Sequence, residues 1–424
     1  MHSVSGHSSG GGTTRLGWCR IAVAIGDSRL LDVHRHLLAK YSLVTYSDLM
    51  APLSPPTWPA TRLTRALGLD HPIVQGPFGG GLSSVVLAAA VSESGGLGSF
   101  GVHHLDTDDI AAVAASLHAA TARPFALNLW VSNHDLPESE MTRERFDAAV
   151  RRLQPLYDEV GVDAPPFPDR FSATFEEQAQ AVLDAGPAAF SFVFGAPDAH
   201  VLAAFRERGI VTLGTAITPD EAVVLDEAGV DVIVASGAEA GGHRGAFLAE
   251  AEDSLVGTMP LVRVVAQEVR APVIAAGGIG DARGIAAALA LGADGVQIGT
   301  AFLATDESAA TPEHRAQLLS PGSRHTRLTR AFSGRLARGI PNRLMDELTA
   351  NGAIEPYPYQ GYLLKPVLDS ARAAGRTDVA ALWAGQATPV LEHRRARELY
   401  AALVHGIDPL LRPTADTNTL KGAN

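Results

Sequence analysis

Residues 272–300, PVIAAGGIGDARGIAAALALGADGVQIGT, decide the fold class that the sequence predicts. The stretch opens with a short apolar run and passes through a glycine-rich turn into an alanine-rich segment with helical spacing. After Gly-Ala-Asp-Gly (292–295) it ends in a second β-branched run. Nearly continuous apolar strands are typical of a parallel sheet whose two faces are both buried. The stretch therefore predicts one complete strand–helix–strand unit.

The same alternation extends from Pro72 to about Leu303. The predicted strands are 73–76, 97–101, 125–131, 189–194, 210–214, 231–235, 272–276 and 295–299. The predicted helices between them are 84–94, 106–119, 175–185, 198–208, 219–228, 259–269 and 281–291. Repeated βα units of this kind predict an α/β protein with a (β/α)8 TIM barrel. An open doubly wound sheet is disfavoured, because Gly79–Gly81 lacks the G-x-G-x-x-G spacing expected after its first strand.

Two long connections interrupt the alternation. Residues 132–173 follow the third strand as an insertion with a helical pattern at 140–158, and residues 237–257 follow the sixth strand. Loops of this length are usually functional, and both leave the carboxyl ends of strands, where barrel enzymes keep their chemistry. The predicted organisation has three parts: an N-terminal extension at 1–60, flexible in part; a barrel at 61–320 with its insertion; and a helical region at 321–424 covering the active-site face.

Composition excludes several classes of function. The net charge of −12 and the absence of basic runs argue against a nucleic-acid partner. No apolar stretch reaches the ~18 residues that would cross a bilayer. A single cysteine, Cys19, excludes a disulfide framework and suits a reducing compartment. We therefore expect a cytoplasmic protein that binds neither nucleic acid nor membrane.

The segment SGAEAGGHRG at 236–245 leaves the sixth predicted strand and frames a histidine with glycines. An imidazole with an ordinary pKa near 6.5 is suited to proton transfer near neutral pH. The glycine frame and the position after a strand favour a place for His243 over the barrel mouth rather than in a surface loop. Glu239 is either a catalytic carboxylate or a residue that holds the loop. Arg244 contacts either substrate or solvent.

Glycine-rich turns follow the seventh and eighth predicted strands, at 277–281 and 297–300. Glycines beside a helix N-terminus expose backbone N–H groups that favour an anion. The loops after strands seven and eight are also the recurrent phosphate site of barrel enzymes. In either segment alone, the glycines could serve only a tight turn. The two segments together, after consecutive strands, predict a bound phosphate. Neither loop contains lysine, so backbone amides, hydroxyls or arginine must hold it.

Polar residues in two other strands are further candidates. Asn128 lies inside an apolar strand, and a buried amide must find hydrogen-bond partners. It either binds the edge of a cofactor ring or satisfies neighbouring backbone. His103 and His104 could form a metal pair, but no companion ligands with suitable spacing accompany them, so no metal site is predicted.

At these motifs the sequence resembles the nitronate monooxygenase family, formerly called 2-nitropropane dioxygenases, which are FMN-dependent (β/α)8 enzymes. The similar segments are 71–77, 239–243, 272–279, 290–303, 357–360 and 382–386. The resemblance covers roughly residues 61–390. It implies oxidation of alkyl nitronates, or of nitroalkanes, with O2 to carbonyl compounds and nitrite. His243 matches the catalytic base of the family, and its cationic form would help to hold the nitronate anion.

The resemblance also implies an FMN site at the strand ends. Its residues would be Gln75, Gly76, Asn128, Ser236, Gly241, Gly242, Gly277, Gly278, Gln297, Ile298, Gly299 and Thr300. Gln75 and Asn128 would face the flavin, and Gly278 would meet its phosphate. Ser236 departs from the family, because many members have a flavin-binding glutamine there, and the contact would be shorter or lost. Phe78 stands where methionine is common.

Two other functions remain open on the same barrel. One is an FMN-dependent reductase that moves hydride from NAD(P)H to a quinone or an enoyl thioester. The other is a flavin-free lyase or isomerase that binds a sugar phosphate. The sequence also leaves open whether the chain works alone or as a homo-oligomer.

Overall fold

The computed structural model describes residues 57–131 and 140–411. Most of the predicted N-terminal extension therefore lies outside the described residues, as do positions 132–139 of the insertion. The strands in the described chain are β1 Ile73–Gln75, β2 Gly98–Gly101, β3 Phe125–Trp130, β4 Ala189–Val193, β5 Val211–Ala216, β6 Val232–Ser236, β7 Gly242–His243, β8 Val273–Ala276, β9 Gly295–Ile298, β10 Arg327–Thr329 and β11 Ala337–Gly339.

Eight parallel strands form the barrel, in the order β1-β9-β8-β6-β5-β4-β3-β2. The sheet closes where Val74 of β1 forms a parallel bridge with Leu97, the residue before β2. The Gln75 amide donates to the Leu97 carbonyl at 2.9 Å across this junction. The predicted TIM barrel is confirmed, and each of the eight strands ends within two residues of its predicted bounds.

Helices surround the barrel and cap one of its ends. They are α1 Arg62–Leu67, α2 Val85–Glu93, α3 Thr107–Ala120, α4 Arg143–Val160, α5 Phe175–Ala185, α6 Ala199–Glu207, α7 Pro219–Glu227, α8 Thr258–Glu268, α9 Ala282–Ala290, α10 Thr300–Leu303, α11 Pro312–Leu318, α12 Arg343–Ala350, α13 Tyr359–Ala373 and α14 Ala396–Leu411. Short 3-10 turns lie at Pro321–Arg324 and Thr388–Val390.

The last helix corrects one expectation about the C-terminal region. Helix α14 packs against α9 and α2, where it buries Leu399, Tyr400 and Leu403 in the main core. It thus occupies the eighth place in the ring of barrel helices instead of covering the active-site face. The reason is the brevity of α10, since a four-residue helix after β9 cannot cover that side of the barrel.

Aspartates at two helix-to-strand turns tie neighbouring strands together at the amino-terminal end of the barrel. The Asp231 carboxylate accepts from the Thr212 amide at 2.9 Å, and the Asp294 carboxylate accepts from the Val273 amide at 3.0 Å. Arg62 of α1 closes the set by binding both oxygens of Asp294 at 2.9 and 2.6 Å. The Gly-Val-Asp and Gly-Ala-Asp-Gly turns of the sequence therefore fix strand register.

A second core lies outside the barrel. Helix α4, from the insertion after β3, packs with α12 and α13, and Tyr157 donates a hydrogen bond to the Leu363 carbonyl at 2.8 Å. The insertion and the C-terminal region therefore share one hydrophobic cluster. A small antiparallel sheet, β10-β11-β7, accompanies it. Strands β10 and β11 lie in the region that the sequence predicted to be helical, and β7 lies in the predicted loop after the sixth strand. These short strands fall outside the strand–helix alternation that made the barrel strands recognisable.

In the part of the chain that the structure describes, no helix has both the length and the apolar character needed to cross a membrane.

Candidate active site at the barrel mouth

His243 lies beyond the carboxyl end of β6, on a segment that the structure holds as a strand. Gly242 has a φ of 75°, a conformation that favours glycine, and it turns the chain into β7. Strand β7 then pairs with β11, with His243 opposite Ala337. His243, which the sequence placed in a loop, is therefore fixed by the pairing of β7 with β11.

Two indoles and one hydroxyl surround the imidazole. The ring centroids of His243 and Trp130 are 4.7 Å apart in an edge-on arrangement, and that of Trp383 is 5.1 Å away. Nε2 lies 2.7 Å from Oγ of Ser333, within hydrogen-bond distance. These neighbours come from β3 and from the C-terminal region, so the barrel alone does not complete the site.

Burial lowers the pKa of His243 to about 4, so the imidazole is neutral at neutral pH. The ordinary pKa near 6.5 that the sequence suggested therefore does not hold for this buried ring. A neutral imidazole can still accept a proton, which is what a general base requires.

Glu239 holds the loop, which decides between the two roles that the sequence left open. Its carboxylate accepts from the Thr258 amide at 2.9 Å and from the Thr258 hydroxyl at 2.8 Å. Its own carbonyl accepts from the Gln386 amide at 2.9 Å. Glu239 therefore links the loop after β6 to the start of α8 and to the C-terminal segment.

Arg244 is buried, so the expectation that it contacts solvent is wrong. It is 1 % exposed, and its guanidinium donates to the carbonyls of Gly237 and Ser236 at 2.7 and 2.9 Å. The sequence could not foresee this role, in which the side chain turns back and binds the backbone of its own loop.

The turn after β8 has backbone that only glycine adopts easily. Gly277 and Gly278 have φ values of 102° and 70°. A Cβ atom at Gly278 would also lie 3.3 Å from Cβ of Glu239, which is closer than ordinary packing allows. This turn therefore brings bare backbone to the loop that carries His243.

The end of β9 lies beside the end of β1. The Gly76 amide donates to the Ile298 carbonyl at 2.9 Å, and a Cβ at Gly76 would lie 3.2 Å from Cα of Gly299. In the sheet register, Gln297 is opposite both Val74 and Ala276. The two phosphate-loop candidates thus follow neighbouring strands, as predicted.

The segment 382–386 contacts the loops that follow β6 and β9. The hydroxyl of Thr300 accepts from the Gly385 amide at 2.9 Å. A Cβ at Gly241 would come within 2.4 Å of that same Gly385 nitrogen, so Gly241 permits the close approach. The structure therefore brings Gly241, Gly278 and Thr300 to one end of the barrel, although they follow three different strands.

The two amides predicted to face a cofactor ring have protein partners. Gln75 is fully buried; its Oε1 accepts from the Ser99 amide at 2.9 Å, and its Nε2 donates to the Gly76 carbonyl. Asn128 donates to the Ser191 hydroxyl at 2.9 Å. The sequence left open a cofactor ring edge or neighbouring backbone as the partner of Asn128, and within the protein the partner is instead a side chain of the next strand.

Several residues at the mouth had no predicted role. Trp130 stacks on the His103 ring, with centroids 3.8 Å apart and planes 7° from parallel. The Arg335 guanidinium lies over the rings of Phe194 and Tyr357, 3.7 and 4.0 Å from their centroids. Burial lowers the pKa of Arg335 to about 10. The motif at 357–360 was a usable signal for Tyr357, but nothing local pointed to Arg335.

The two adjacent histidines after β2 do not belong to a metal-ligand cluster. Within the described residues, no group of three or more histidine, cysteine, aspartate or glutamate side chains is arranged to hold a metal ion. Burial and the neighbouring His104 lower the pKa of His103 well below its usual value, so its ring is neutral.

The family model and the curated relatives name one family. The family model described as nitronate monooxygenase matches residues 60–406. A nitronate monooxygenase of Pseudomonas aeruginosa is 41 % identical over 348 residues, which cover 81 % of this chain and 98 % of that protein. The structure of nitroalkane oxidase from Streptomyces ansochromogenes matches with a TM-score of 0.74 and 37 % identity, covering 81 % of this chain and 97 % of that one. FabK from Thermotoga maritima matches with a TM-score of 0.64 and 26 % identity, covering 83 % and 97 %.

Proposed function

The chain belongs to the nitronate monooxygenase family, a family of oxidoreductases, and we propose that it binds FMN at the barrel mouth and oxidises alkyl nitronates with O2 to carbonyl compounds and nitrite. We propose further that it accepts neutral nitroalkanes, from which a base must first remove the α-proton. The observation that carries the proposal is the neutral His243, enclosed by Trp130, Trp383 and Ser333 beyond the strand ends.

The residues at the strand ends fit FMN. The turn at Gly277 and Gly278 has positive φ values and no side chains, so its backbone can approach an anion closely. The predicted phosphate loops contain no lysine, which suits a phosphate held by backbone N–H groups and by the Thr300 hydroxyl. In this assignment Gly278, Gly299 and Thr300 hold the phosphate end, and Gln75 and Asn128 lie toward the ring end.

The residues of the chain then have distinct tasks. FMN, when bound, supplies the electron transfer that oxidises the nitronate and the reaction with O2. His243 accepts the α-proton of a neutral nitroalkane at one of its imidazole nitrogens, because burial keeps it unprotonated. Ser333 orients that imidazole, and the two indoles keep water from it. A preformed nitronate has already lost the proton, so it does not need the base.

The proposal is tested with protein reconstituted with FMN. Nitrite and oxygen uptake are measured in air with propyl-2-nitronate and with 2-nitropropane. We expect nitrite from both. Absence of nitrite from the nitronate would exclude the proposed reaction, and absence of the flavin absorbance bands after reconstitution would favour the flavin-free alternatives.

Two variants test the role of His243. His243→Ala should lower kcat with neutral nitroalkane by about 10²–10⁴-fold, the usual contribution of a general base, and should affect the nitronate much less. His118→Ala is the matched control, because His118 is an exposed histidine near the carboxyl end of α3. Unchanged nitroalkane turnover in His243→Ala would show that another group is the base.

Anaerobic mixing with NADH and NADPH separates the oxidase from a reductase. The proposed function predicts that the flavin absorbance bleaches on nitronate and only slowly on either nicotinamide. Rapid bleaching by NADH or NADPH, without nitrite formation in air, would instead support the reductase reading.

A further inference from the structure

Three successive carbonyls at the end of β6 are bound by two arginine side chains. Arg244 donates to the carbonyls of Ser236 and Gly237 at 2.9 and 2.7 Å. Arg338 of β11 donates through Nε to the next carbonyl, that of Ala238, at 3.0 Å. We call Arg244 and Arg338 the arginine clasp. It binds the first three residues of the segment that leads to His243.

Both members of the clasp are buried. Arg244 is 1 % exposed and Arg338 is 8 % exposed. A buried cation is costly unless polar groups compensate it. Two carbonyls accept from the Arg244 guanidinium and the charges of Glu221 and Glu239 favour it, whereas burial and the charge of Arg338 oppose it. Burial lowers the pKa of Arg244 to about 10, so the guanidinium stays charged at neutral pH. A charged donor makes stronger hydrogen bonds to carbonyls than a neutral one.

The contacts of Arg244 close the segment 236–244 into a loop of defined span. Its side chain binds residues seven and eight positions earlier in the chain. Its amide donates to the Leu336 carbonyl at 2.8 Å, beside the pairing of His243 with Ala337. The end of β6 and the residue after His243 are therefore held together through one side chain.

Two carboxylates hold other parts of the same loop. The carboxylate of Glu221, which is fully buried, accepts from the Phe247 amide at 2.8 Å. Glu239, within the loop, accepts from the Thr258 amide at the start of α8. The arginines thus bind the carbonyls of 236–238, Glu221 binds an amide at the far end of the loop, and Glu239 ties the loop to α8. Charged side chains are matched to main-chain dipoles, and this leaves the loop little conformational freedom.

We infer that Arg244, with Arg338, is a positioning residue of this enzyme: it places the His243 imidazole over the barrel mouth by fixing the span from Ser236 to His243. The inference rests on the proposed function. Arg244 does not touch substrate in this assignment, and it acts through the backbone of its own loop.

Lysine cannot replace Arg244 in this role. The planar guanidinium donates to two carbonyls at once from a rigid fork, whereas an ammonium is a single point donor on a flexible stem. Arg244→Lys should therefore keep the charge and lose the geometry, and Arg244→Gln should lose both. Arg338→Gln releases the Ala238 carbonyl and the Thr326 hydroxyl but leaves the two carbonyls that Arg244 binds, so it should have a smaller effect of the same kind.

The experiment compares these variants as FMN-loaded proteins with Arg206→Gln. Arg206 is a matched control, because it also donates to a carbonyl, that of Gly229 at 2.9 Å, but at the opposite end of the barrel. The readouts are kcat and KM with 2-nitropropane and with propyl-2-nitronate, and hydrogen exchange of the amides at 236–245.

We expect Arg244→Gln to lower kcat with 2-nitropropane by about 10- to 100-fold, the usual cost of a misplacement near 1 Å, with a much smaller loss on the nitronate. Arg244→Lys should recover part of that loss, and exchange at 236–245 should accelerate in both variants. The inference is overturned if the nitroalkane kcat stays within twofold of Arg206→Gln, or if both substrates lose turnover equally.

Hydrogen exchange keeps the test independent of the reaction. If the wild-type protein makes no nitrite, the proposed function fails, but the clasp still predicts faster exchange in Arg244→Gln than in Arg206→Gln. If Arg244→Gln does not fold, Arg338→Gln carries the same comparison. Unchanged exchange at 236–245 in the folded clasp variants would refute the clasp itself.

Discussion

The Nε2 atom of His243 lies 2.7 Å from Oγ of Ser333, a residue ninety positions further along the chain. This contact joins the loop after β6 to the connection between β10 and β11. The Ser333 hydroxyl is itself held, because it accepts from the Arg335 amide at 3.3 Å. The orientation of the candidate base is therefore set from outside the barrel.

Ser333→Ala should impair the proton-transfer step more than binding. Loss of the hydroxyl frees the imidazole to rotate, so we expect kcat with a neutral nitroalkane to fall by about tenfold, with KM within a factor of about two. Steady-state kinetics with nitroalkane and nitronate check this. An equal loss on both substrates would show that Ser333 supports the mouth in general and does not act through His243.

The pH dependence should reflect the buried histidine. Because burial lowers the pKa of His243 to about 4, its basic form is present throughout the range above that pH. The acid limb of kcat/KM for neutral nitroalkane should therefore lie near pH 4 and not near 6.5. A limb at 6.5 that disappears in His243→Ala would show that the imidazole is solvated in the working enzyme.

Gly278→Ala should weaken FMN binding beyond its effect on stability. The φ of 70° strains any L-residue by about 1–2 kcal/mol, and the new Cβ would press on Glu239. Gly352→Ala is the control, because Gly352 has a φ of 60° with nothing within 4 Å and lies away from the mouth. Both variants should lose similar stability in thermal unfolding, and only Gly278→Ala should lose FMN affinity in a fluorescence titration.

Asp294→Ala should destabilise the barrel without changing the chemistry. The carboxylate is nearly buried and binds Arg62 and the Val273 amide, so its removal leaves the Val273 amide without this acceptor and takes the ion pair from Arg62, which keeps the Arg270 carbonyl. We expect the free energy of unfolding to fall by about 2–3 kcal/mol in urea titrations. The kcat of the folded variant should match wild type, because the residue lies at the opposite end of the strands. A changed kcat would mean that a change in strand register at the amino-terminal end of the barrel alters the site at the other end.

Stability should fall on acidification because of a second buried histidine. His314 contacts the Trp383 carbonyl at 3.1 Å, and burial lowers its pKa to about 4. Between about pH 6.5 and 4 the unfolded chain therefore binds more protons than the folded one, so the free energy of unfolding decreases as the pH falls. Each such histidine contributes at most about 1.4 kcal/mol per pH unit. In His314→Gln, the free energy of unfolding, measured by urea titrations at pH 4.5–7, should depend less steeply on pH. An unchanged pH dependence would show that His314 is not its source.

The barrel was readable because short apolar strands alternate regularly with longer helices. Eight apolar runs separated by alanine-rich helices have a strong period, and the Gly-Ala-Asp-Gly turn of residues 292–295 marks a boundary that the structure keeps. The small sheet was not readable. Strand β7 has only two residues, Gly242 and His243, and it exists because β11 pairs with it. Pairing partners distant in the chain leave no local period.

The candidate site divides in the same way. Glycines after successive strands are visible in the sequence, and parallel strands bring their carboxyl ends to one rim. The sequence also singled out His243, but it suggested an ordinary pKa near 6.5. Its neutrality comes from burial, and Trp130 of β3 and Trp383 of the C-terminal segment are among the side chains that contact it.

The sequence by itself determined the barrel, the positions of the glycine turns and the identity of the candidate base, because local periods and turn residues encode them. Only the tertiary structure decided that α14 completes the helix ring, that Arg244 binds its own loop, and that His243 is neutral. Those properties depend on burial and on hydrogen bonds between residues far apart in the chain. Burial and distant partners are properties of the folded environment, which no local pattern specifies.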